Sequence, residues 1–578
     1  MQSNRLFSKH KKRITSFYVI VYLFAFILLI NFFYIQVIFS HKYHDDISKS
    51  TTAIRKVQGN RGSIYDRNGN LLAYSINKFR MWVNSKNLSN DKEIINFLNL
   101  TKNKKYNFNY NFINENSSYS LIIDDLIFYE NEDLFNQSKK IKNLNCNIYK
   151  HRLYPYNELA AQLIGFTNYE NQGRYGIEGY FNNILNGSEK LVEYNKNSRG
   201  KIVSPKEMHN INDGSDIHLT IDINIQDILQ SQLRESLILN DAKSANGIII
   251  NPNTGDIIAM ASLPDFDLNN YKKLPKDSAN YYYTNRVISN PYEPGSTFKI
   301  VNMSNSIDES NNYKTKSYFC EDGEYTSHYL KPFRDHIAYD SLTFKQIFTN
   351  SSNIGTIKVF EENSKKSFYK KMQDFGFGIK TNISLKDENS GDIKDLKYYR
   401  NNSRDLASAS IGQSILVTNL QIALAYGSVA NGGFLLKPKI IQKIVNDKNI
   451  TKFNKPTVVR RNIKLETSKY LLSSLKDVIE KGTGTKAIIK GVEIGGKTGT
   501  GEIWSDKISG YSSEEFISSF VSLFPISNPK YVMVVSIEAP SDYEKRWGGE
   551  TAAPCSKNII KNILLYDKDL RTDKNEDA

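Results

Sequence analysis

The chain has 578 residues, with 76 Lys and Arg against 61 Asp and Glu, a net charge of +15, 40% apolar residues and a mean hydropathy of −0.48. This length suits two to four domains with cores of their own, and the hydropathy excludes a chain embedded throughout in a membrane. The lysines are interleaved with Asn, Asp and Glu, as in KDENSGDIKDLKYYR, and form no basic block, so nucleic acid is not the expected partner.

Residues Phe17 to Phe39, FYVIVYLFAFILLINFFYIQVIF, run for 23 residues without a charge. As a helix they span about 34 Å at about 1.5 Å per residue, which matches a bilayer core of about 30 Å. Arg5, Lys9, Lys11, Lys12 and Arg13 precede the run, while Asp45 and Asp46 follow it. The positive-inside rule therefore predicts a cytoplasmic tail at residues 1–13, an anchor at 14–40 and everything from residue 41 outside the cytoplasm. The following IFSHKYHDD offers no small-x-small cleavage site, so the anchor reads as uncleaved. Asn31 and Gln36 are the strongly polar interruptions, and they predict a helix partner within the membrane.

Residues 41–213 read as short strands between Asn- and Lys-rich loops. RGSIYDRNGNLLAYS (Arg61 to Ser75) predicts a strand, an Asn-Gly hairpin turn and a second strand. YGIEGYFNNILNG predicts a turn and a short helix, and this region shows no catalytic constellation. INDGSD marks a boundary, with a second region at 214–565 and a solvated tail at 566–578. DIHLTID predicts a strand, NIQDILQSQLRESLIL a helix, and ANGIIINPNTGDIIAMAS two strands joined by a turn. Helical patterns follow in DSLTFKQIFTNSSNIGTIKVFEEN and NLQIALAYGSVANGG, then strands in GVEIGGKTGTGE, ISSFVSLFPI and KYVMVVSIEA. Strands first, helices in the middle and strands last predict an α+β fold with one antiparallel sheet covered by helices.

Within this region, NPYEPGSTFKIVNMSNS places Ser296 after a Pro-Gly turn and Lys299 three residues later. Such a serine caps a helix in one reading. In the other, an amine on the same helix face activates the hydroxyl as a nucleophile. The spacing alone does not decide, because it recurs at Ser75/Lys78, Ser367/Lys370 and Ser473/Lys476. All eight histidines lie at or before His336 and no G-x-S-x-G surrounds Ser296, so lysine is the better base than a histidine triad. Asp335 and His336, in FRDHIAYDS, read as a loop salt bridge or a cap. Cys146, Cys320 and Cys555 are too sparse for a disulfide framework, a Cys320–Cys555 bridge staying open. No Cys-x-x-Cys or His-Glu-x-x-His is present, so no zinc site is expected; no other metal and no cofactor is expected either.

Two further motifs follow in order. TNSSNIGT gives Ser351-Ser352-Asn353, and GGKTGTGE gives Lys497-Thr498-Gly499-Thr500. Ser-x-x-Lys, Ser-x-Asn and Lys-Thr-Gly in this order resemble the penicilloyl-serine transferases. RGSIYDRNGNLLA, YPYNELAAQLIGFTN, YGIEGYFNNILNG, NPNTGDIIAMASLPDFDLNN and ASIGQSILVTNLQIALAYGSVANGG extend the resemblance to class B penicillin-binding proteins, over most of Arg61 to Pro554. EPGSTFK and LIGFTN look more like the septal, penicillin-binding protein 3 type than the elongation type. The resemblance implies an elongated, mostly-β, non-catalytic pedestal or dimerisation-type domain at 41–213 and a transpeptidase domain at 214–565. Gly501 stands where the resemblance leads one to expect Ala, which predicts a loosened strand. The region from Asp91 to Asn147 matches little.

The resemblance implies a peptidoglycan D,D-transpeptidase acting on stem peptides ending in D-Ala-D-Ala, inhibited by β-lactams. Ser296 is implied as nucleophile, Lys299 as its base, Ser351 as proton relay, and Asn353 as the group orienting Lys299 and the substrate amide. Lys497, Thr498, Gly499 and Thr500 are implied to hold the terminal carboxylate, with the backbone N–H groups of Ser296 and Thr500 as oxyanion hole. Burial and the charge of Lys497 are expected to lower the Lys299 pKa. No glycosyltransferase region is visible, so the resemblance also implies a membrane-embedded SEDS-family glycosyltransferase and other division proteins as partners. A D,D-carboxypeptidase or β-lactamase, an elongation-type transpeptidase, a β-lactam sensor and a division scaffold with dispensable chemistry are the competing readings.

Overall fold

The computed structural model describes residues 2–38, 51–84, 92–102, 119–142, 144–197, 202–205, 212–310, 312–326, 329, 331–446, 449–453, 455–505, 510–567 and 570. The predicted acidic flank at Asp45 and Asp46 and nearly all of the predicted tail lie outside the described residues. The chain divides into two units, residues 1–60 with 187–213, and residues 61–186 with 214–578.

The first unit holds a helix over Gln2–Phe33 that continues as a π-helical turn over Tyr34–Ile38. Among the described residues it is the one helix long and apolar enough to cross a membrane, His10–Ile38, with mean hydropathy reaching 2.4. Its apolar side chains are exposed all round, as a bilayer-spanning helix requires. The unit also contains a three-stranded sheet of Thr52–Gln58, Glu189–Lys196 and Ile202–Pro205.

In the second unit, Ile64–Tyr65 and Leu71–Asn84 form the hairpin read from RGSIYDRNGNLLAYS. Gly69 takes φ +90° in its turn, and the Asp66 carboxylate accepts from the N–H groups of Asn68 and Asn70, both at 2.8 Å. Ile64–Tyr65 also pairs in parallel with Ile217–His218, so one seven-stranded sheet runs through the position of the INDGSD boundary. YGIEGYFNNILNG forms two short helices, Gly176–Tyr180 and Asn182–Leu185. Its Glu178 is fully buried between two arginines: Arg61 Nε donates to one carboxylate oxygen at 2.7 Å and Arg152 Nε to the other at 2.6 Å. The described part of residues 92–147 packs a small core of its own around Phe79, Ile94, Phe97 and Phe135.

The remainder builds the layers that carry the site. Asp222 caps α1 (Ile223–Leu239), its carboxylate accepting from the N–H of Asn224 at 3.0 Å. Strands β1 (Ser244–Ile250) and β2 (Ile257–Leu263) follow, then α2 (Lys299–Glu309), α3 (Asn353–Glu361), α4 (Asn419–Ala430) and α5 (Leu465–Lys481). A capping box between Thr418 and Gln421 starts α4. Strands β3 (Gly495–Ser505), β4 (Gly510–Phe524) and β5 (Tyr531–Glu538), then α6 (Ala552–Tyr566), complete the unit. The five strands form one antiparallel sheet in the order β2-β1-β5-β4-β3. Ile249, Phe520 and Val535 face a core shared with α1 and α6, while Ile248, Val521 and Val534 face the core beneath α4. Burial on both faces explains the unbroken apolar runs of β1 and β5, each such side chain contributing about 1.5–3 kcal/mol. Strand β3 is left at the sheet edge, bordering the cleft.

Candidate active site

Pro294-Gly295 opens a 3-10 turn over Gly295–Phe298 that runs into α2. Ser296 lies inside this turn and Lys299 begins the α-helix. Gly295 has φ +54°, and a Cβ there would stand 2.2 Å from the Thr500 carbonyl oxygen, so only glycine lets the turn meet β3 this closely. The Tyr426 hydroxyl of α4 donates to the Thr297 carbonyl at 2.7 Å and anchors the turn from below.

The helical pattern around TNSSNIGT is broken into Phe344–Thr349 and α3, and the break is Ser351 with φ +62°. A serine in the left-handed region costs about 1–3 kcal/mol, a strain typical of functional positions. It turns both the Ser351 carbonyl and its hydroxyl toward Lys299, whose Nζ donates to them at 2.6 and 3.4 Å and to Asn353 Oδ1 at 2.8 Å. From the opposite wall, Lys497 Nζ donates to Ser351 Oγ at 2.9 Å and to the Thr498 carbonyl at 3.2 Å. One hydroxyl thus bridges two lysine amines from α2 and β3.

Both amines are fully buried. Burial lowers the Lys299 pKa to about 7, against the opposing pull of the Asp335 carboxylate. Burial, and then the charge of Lys299, hold Lys497 well below the usual lysine range. The expected depression of Lys299 is present with desolvation as its cause, while the Lys497 charge, the second cause expected, is not among those acting on it.

Thr498 and Thr500 project to the other side of β3 from Lys497. Thr498 Oγ1 is 2.6 Å from Thr483 Oγ1, and the N–H of Gly548 donates to Thr500 Oγ1 at 3.4 Å. Gly499 permits a close approach, since a Cβ there would meet the Pro294 carbonyl oxygen at 2.7 Å and Thr297 at 2.8 Å. Gly501 corrects the expectation of a loosened strand: a Cβ at this position would stand 2.0 Å from the Glu293 carbonyl oxygen, so the glycine accommodates a tight contact.

A cleft of about 570 Å³ unites Ser296, Ser351, Asn353, Thr498, Gly499 and Thr500. Lys299 and Lys497 lie beneath its floor, reaching Ser351. The cleft also takes in residues that the sequence reading passed over: Thr483, Glu502, Arg546, Trp547 and Gly548. The adjacent glycines of RWGGE were the available signal, because a Cβ at Gly548 would stand 2.4 Å from the Gly499 carbonyl oxygen. Asp335 caps α3, as one of its two sequence readings held, and the His336 ring lies tilted against Trp547 with ring centroids 4.2 Å apart. Cys146, Cys320 and Cys555 are free thiols, so the open Cys320–Cys555 pairing is not made. Among the described residues, no group of three or more His, Cys, Asp or Glu side chains is placed to hold a metal ion.

The penicillin-binding protein transpeptidase domain model matches residues 247–561, and the penicillin-binding protein dimerisation domain model matches residues 56–219. The chain is 28% identical over 547 residues to the stage V sporulation protein D of Bacillus subtilis, covering 92% of this chain and 82% of that protein. It is 28% identical over 531 residues to the peptidoglycan D,D-transpeptidase FtsI of Escherichia coli, covering 88% and 84%. Its fold is similar to that of penicillin-binding protein 3 from Mycobacterium tuberculosis, complexed with aztreonam, at a TM-score of 0.68 and 22% identity, covering 89% of this chain and 97% of that one. A transpeptidase match over more than half of its length, behind a dimerisation domain and around a Ser-Lys-Ser-Lys cleft, shows that the chain belongs to the class B penicillin-binding proteins of the FtsI type.

Proposed function

We propose that the chain is a peptidoglycan D,D-transpeptidase that cross-links stem peptides through an acyl-serine at Ser296. The observation that carries this reading is the convergence of the Lys299 and Lys497 amines on Ser351 Oγ, in the cleft that Ser296 lines.

Ser296 Oγ attacks the carbonyl between the two terminal D-alanines. A Lys299 amine with a pKa of about 7 is substantially neutral at neutral pH and takes the serine proton. The oxyanion is held by the backbone N–H groups of Ser296 and Thr500, each such donor contributing about 3 kcal/mol. The substrate carboxylate docks on Thr498 and Thr500 beside Lys497. Its charge favours a proton on Lys497, which in turn disfavours one on Lys299. Ser351, bonded to both amines, passes a proton to the departing D-alanine nitrogen as the C–N bond breaks. The amine of a neighbouring stem then attacks the ester, releases Ser296 and forms the cross-link. A β-lactam presents its strained amide to the same nucleophile and stays attached.

The basic residues before Phe17 support a cytoplasmic N-terminus and a periplasmic cleft. The septal reading is supported by relatives named FtsI, and a SEDS-family glycosyltransferase and other division proteins are its expected partners. Depletion giving filaments supports it, and round cells support the elongation type.

The test of the chemistry is labelling of the full chain with fluorescent penicillin, beside Ser296→Ala, with the adduct mapped by mass spectrometry. The expected result is one adduct on Ser296 that is absent from the variant. A folded wild-type protein without an adduct would overturn the reading and favour the scaffold.

A further inference from the structure

The two residues ahead of His336 hold the Ser-x-Asn motif from outside its own helix. Ser352, the N-cap of α3, accepts from the N–H of Gly355 at 2.9 Å, which is an ordinary cap. A second set of bonds comes from Asp335. Its Oδ2 accepts from the Ser352 hydroxyl at 2.6 Å, and its Oδ1 accepts from the backbone N–H groups of Asn353 and of Ile354, the latter at 3.1 Å. Arg334, one residue earlier, uses its carbonyl oxygen to accept from Asn353 Nδ2 at 3.0 Å. That bond fixes which way the Asn353 amide faces, leaving Oδ1 toward Lys299 Nζ at 2.8 Å. The turn is itself tied down, with Phe333–Arg334 paired to Glu324–Tyr325 and the Asp335 N–H bonded to the Gly323 carbonyl at 3.2 Å.

We infer that Asp335 is a positioning residue of the acylation reaction, its carboxylate setting Ser351 and Asn353 against Lys299. The inference rests on the proposed acyl-serine chemistry. Ser352, as N-cap, already accepts from one N–H of the first turn. Asp335 adds three charge-assisted bonds to the residues that directly follow the left-handed Ser351. It therefore holds a backbone that would otherwise relax away from the amine.

The same carboxylate is the charge that opposes burial at Lys299. The other charged or titratable groups lining the cleft are Glu502 on β3, Tyr339, Tyr543, Arg546 and Glu550, and Arg334 and His336 beside Asp335, with Lys497 buried beneath it and the Arg334 guanidinium turned to Glu324. Removing the Asp335 charge lowers the Lys299 pKa further, so the amine stays neutral to lower pH. A purely mechanical support would leave that limb of the pH profile unmoved.

The experiment measures the acylation rate of the full chain in detergent by fluorescent penicillin across pH 5 to 9, with the melting temperature of each variant. Asp335→Asn is expected to lower the plateau rate about tenfold or more, by misplacing the reacting groups, and to move the acidic limb to lower pH. Asp335→Glu, which keeps the charge but shifts it by one methylene, is expected to lower the rate with the limb unmoved. A wild-type rate in Asp335→Asn, or a lowered rate with an unmoved limb, overturns the inference while leaving the Ser296 adduct of the wild type intact. If Asp335→Asn does not fold, Asp335→Glu decides on the rate: a rate reduced about tenfold at a wild-type melting temperature supports the inference, and a wild-type rate, or a rate reduced only in step with a lowered melting temperature, overturns it. Loss of the wild-type adduct would instead refute the acyl-serine chemistry itself.

Discussion

The burial of Lys299 makes a quantitative forecast about pH. Its amine has no exposed surface and gives its donors to the Ser351 carbonyl, the Ser351 hydroxyl and Asn353 Oδ1. Desolvation takes its pKa from the ordinary 10.5 to about 7, a differential cost to the charged form of about 5 kcal/mol. At pH 7 about half of the molecules then hold a neutral amine, at pH 6 about one tenth and at pH 5 about one hundredth. An unperturbed lysine would offer only about three neutral amines in ten thousand at pH 7. The acylation rate of the wild-type chain should therefore fall about tenfold per pH unit below pH 6 and level off above pH 8. Stopped-flow acylation by a fluorescent penicillin, with the rate constant taken at each pH, measures this directly. The same depression has a consequence for stability. Between the folded value and the unfolded value near 10.5 the unfolded chain binds the extra proton, so stability rises with pH across that window. Lys299→Met removes this contribution. The wild type should gain melting temperature relative to the variant as pH rises from 7 toward 10. An acidic limb centred above pH 9, or a rate unchanged between pH 5 and 8, would refute the reasoning.

Two further predictions concern groups outside the reacting set. Gly548→Ala places a Cβ 2.3 Å from the Ser519 carbonyl oxygen and 2.4 Å from that of Gly499, so β3 or the loop must move. A loss of about 1–3 kcal/mol in stability is expected, with slower acylation; unchanged melting temperature and rate together would show that the contact is not made. Glu178→Ala leaves Arg61 and Arg152 buried without their shared anion, at an expected cost of about 3–5 kcal/mol. Denaturant unfolding reads that cost, and a change below about 1 kcal/mol would mean that the arginines find other charge partners.

The local elements were legible because their causes are local. An uncharged apolar run predicts a membrane-length helix, Asn68-Gly69 predicts a hairpin turn, and the periodicity of NLQIALAYGSVANGG predicts a helix. The ordered motifs holding Ser296, Lys299, Ser351, Asn353 and Lys497-Thr498-Gly499-Thr500 pointed to the candidate groups through the family resemblance they carry, which the Ser296–Lys299 spacing alone did not do. What sequence order cannot express is which walls face each other. The meeting of Lys299 and Lys497 at one hydroxyl depends on α2 and an edge strand nearly two hundred residues apart being packed around the same core. The left-handed backbone of Ser351 is visible only as a break in a helical pattern, and its Asp335 support comes from a separate hairpin. Gly501 makes the same point: read along the strand it is a weak residue, and read against the segment packed on it, it is the space into which the Glu293 carbonyl fits. Propensity and motif order act between neighbours in the chain, so the sequence alone determined the local elements and the first candidates for the site. Desolvation, close approach and the pairing of distant donors and acceptors act between neighbours in space, and these only the tertiary structure decided.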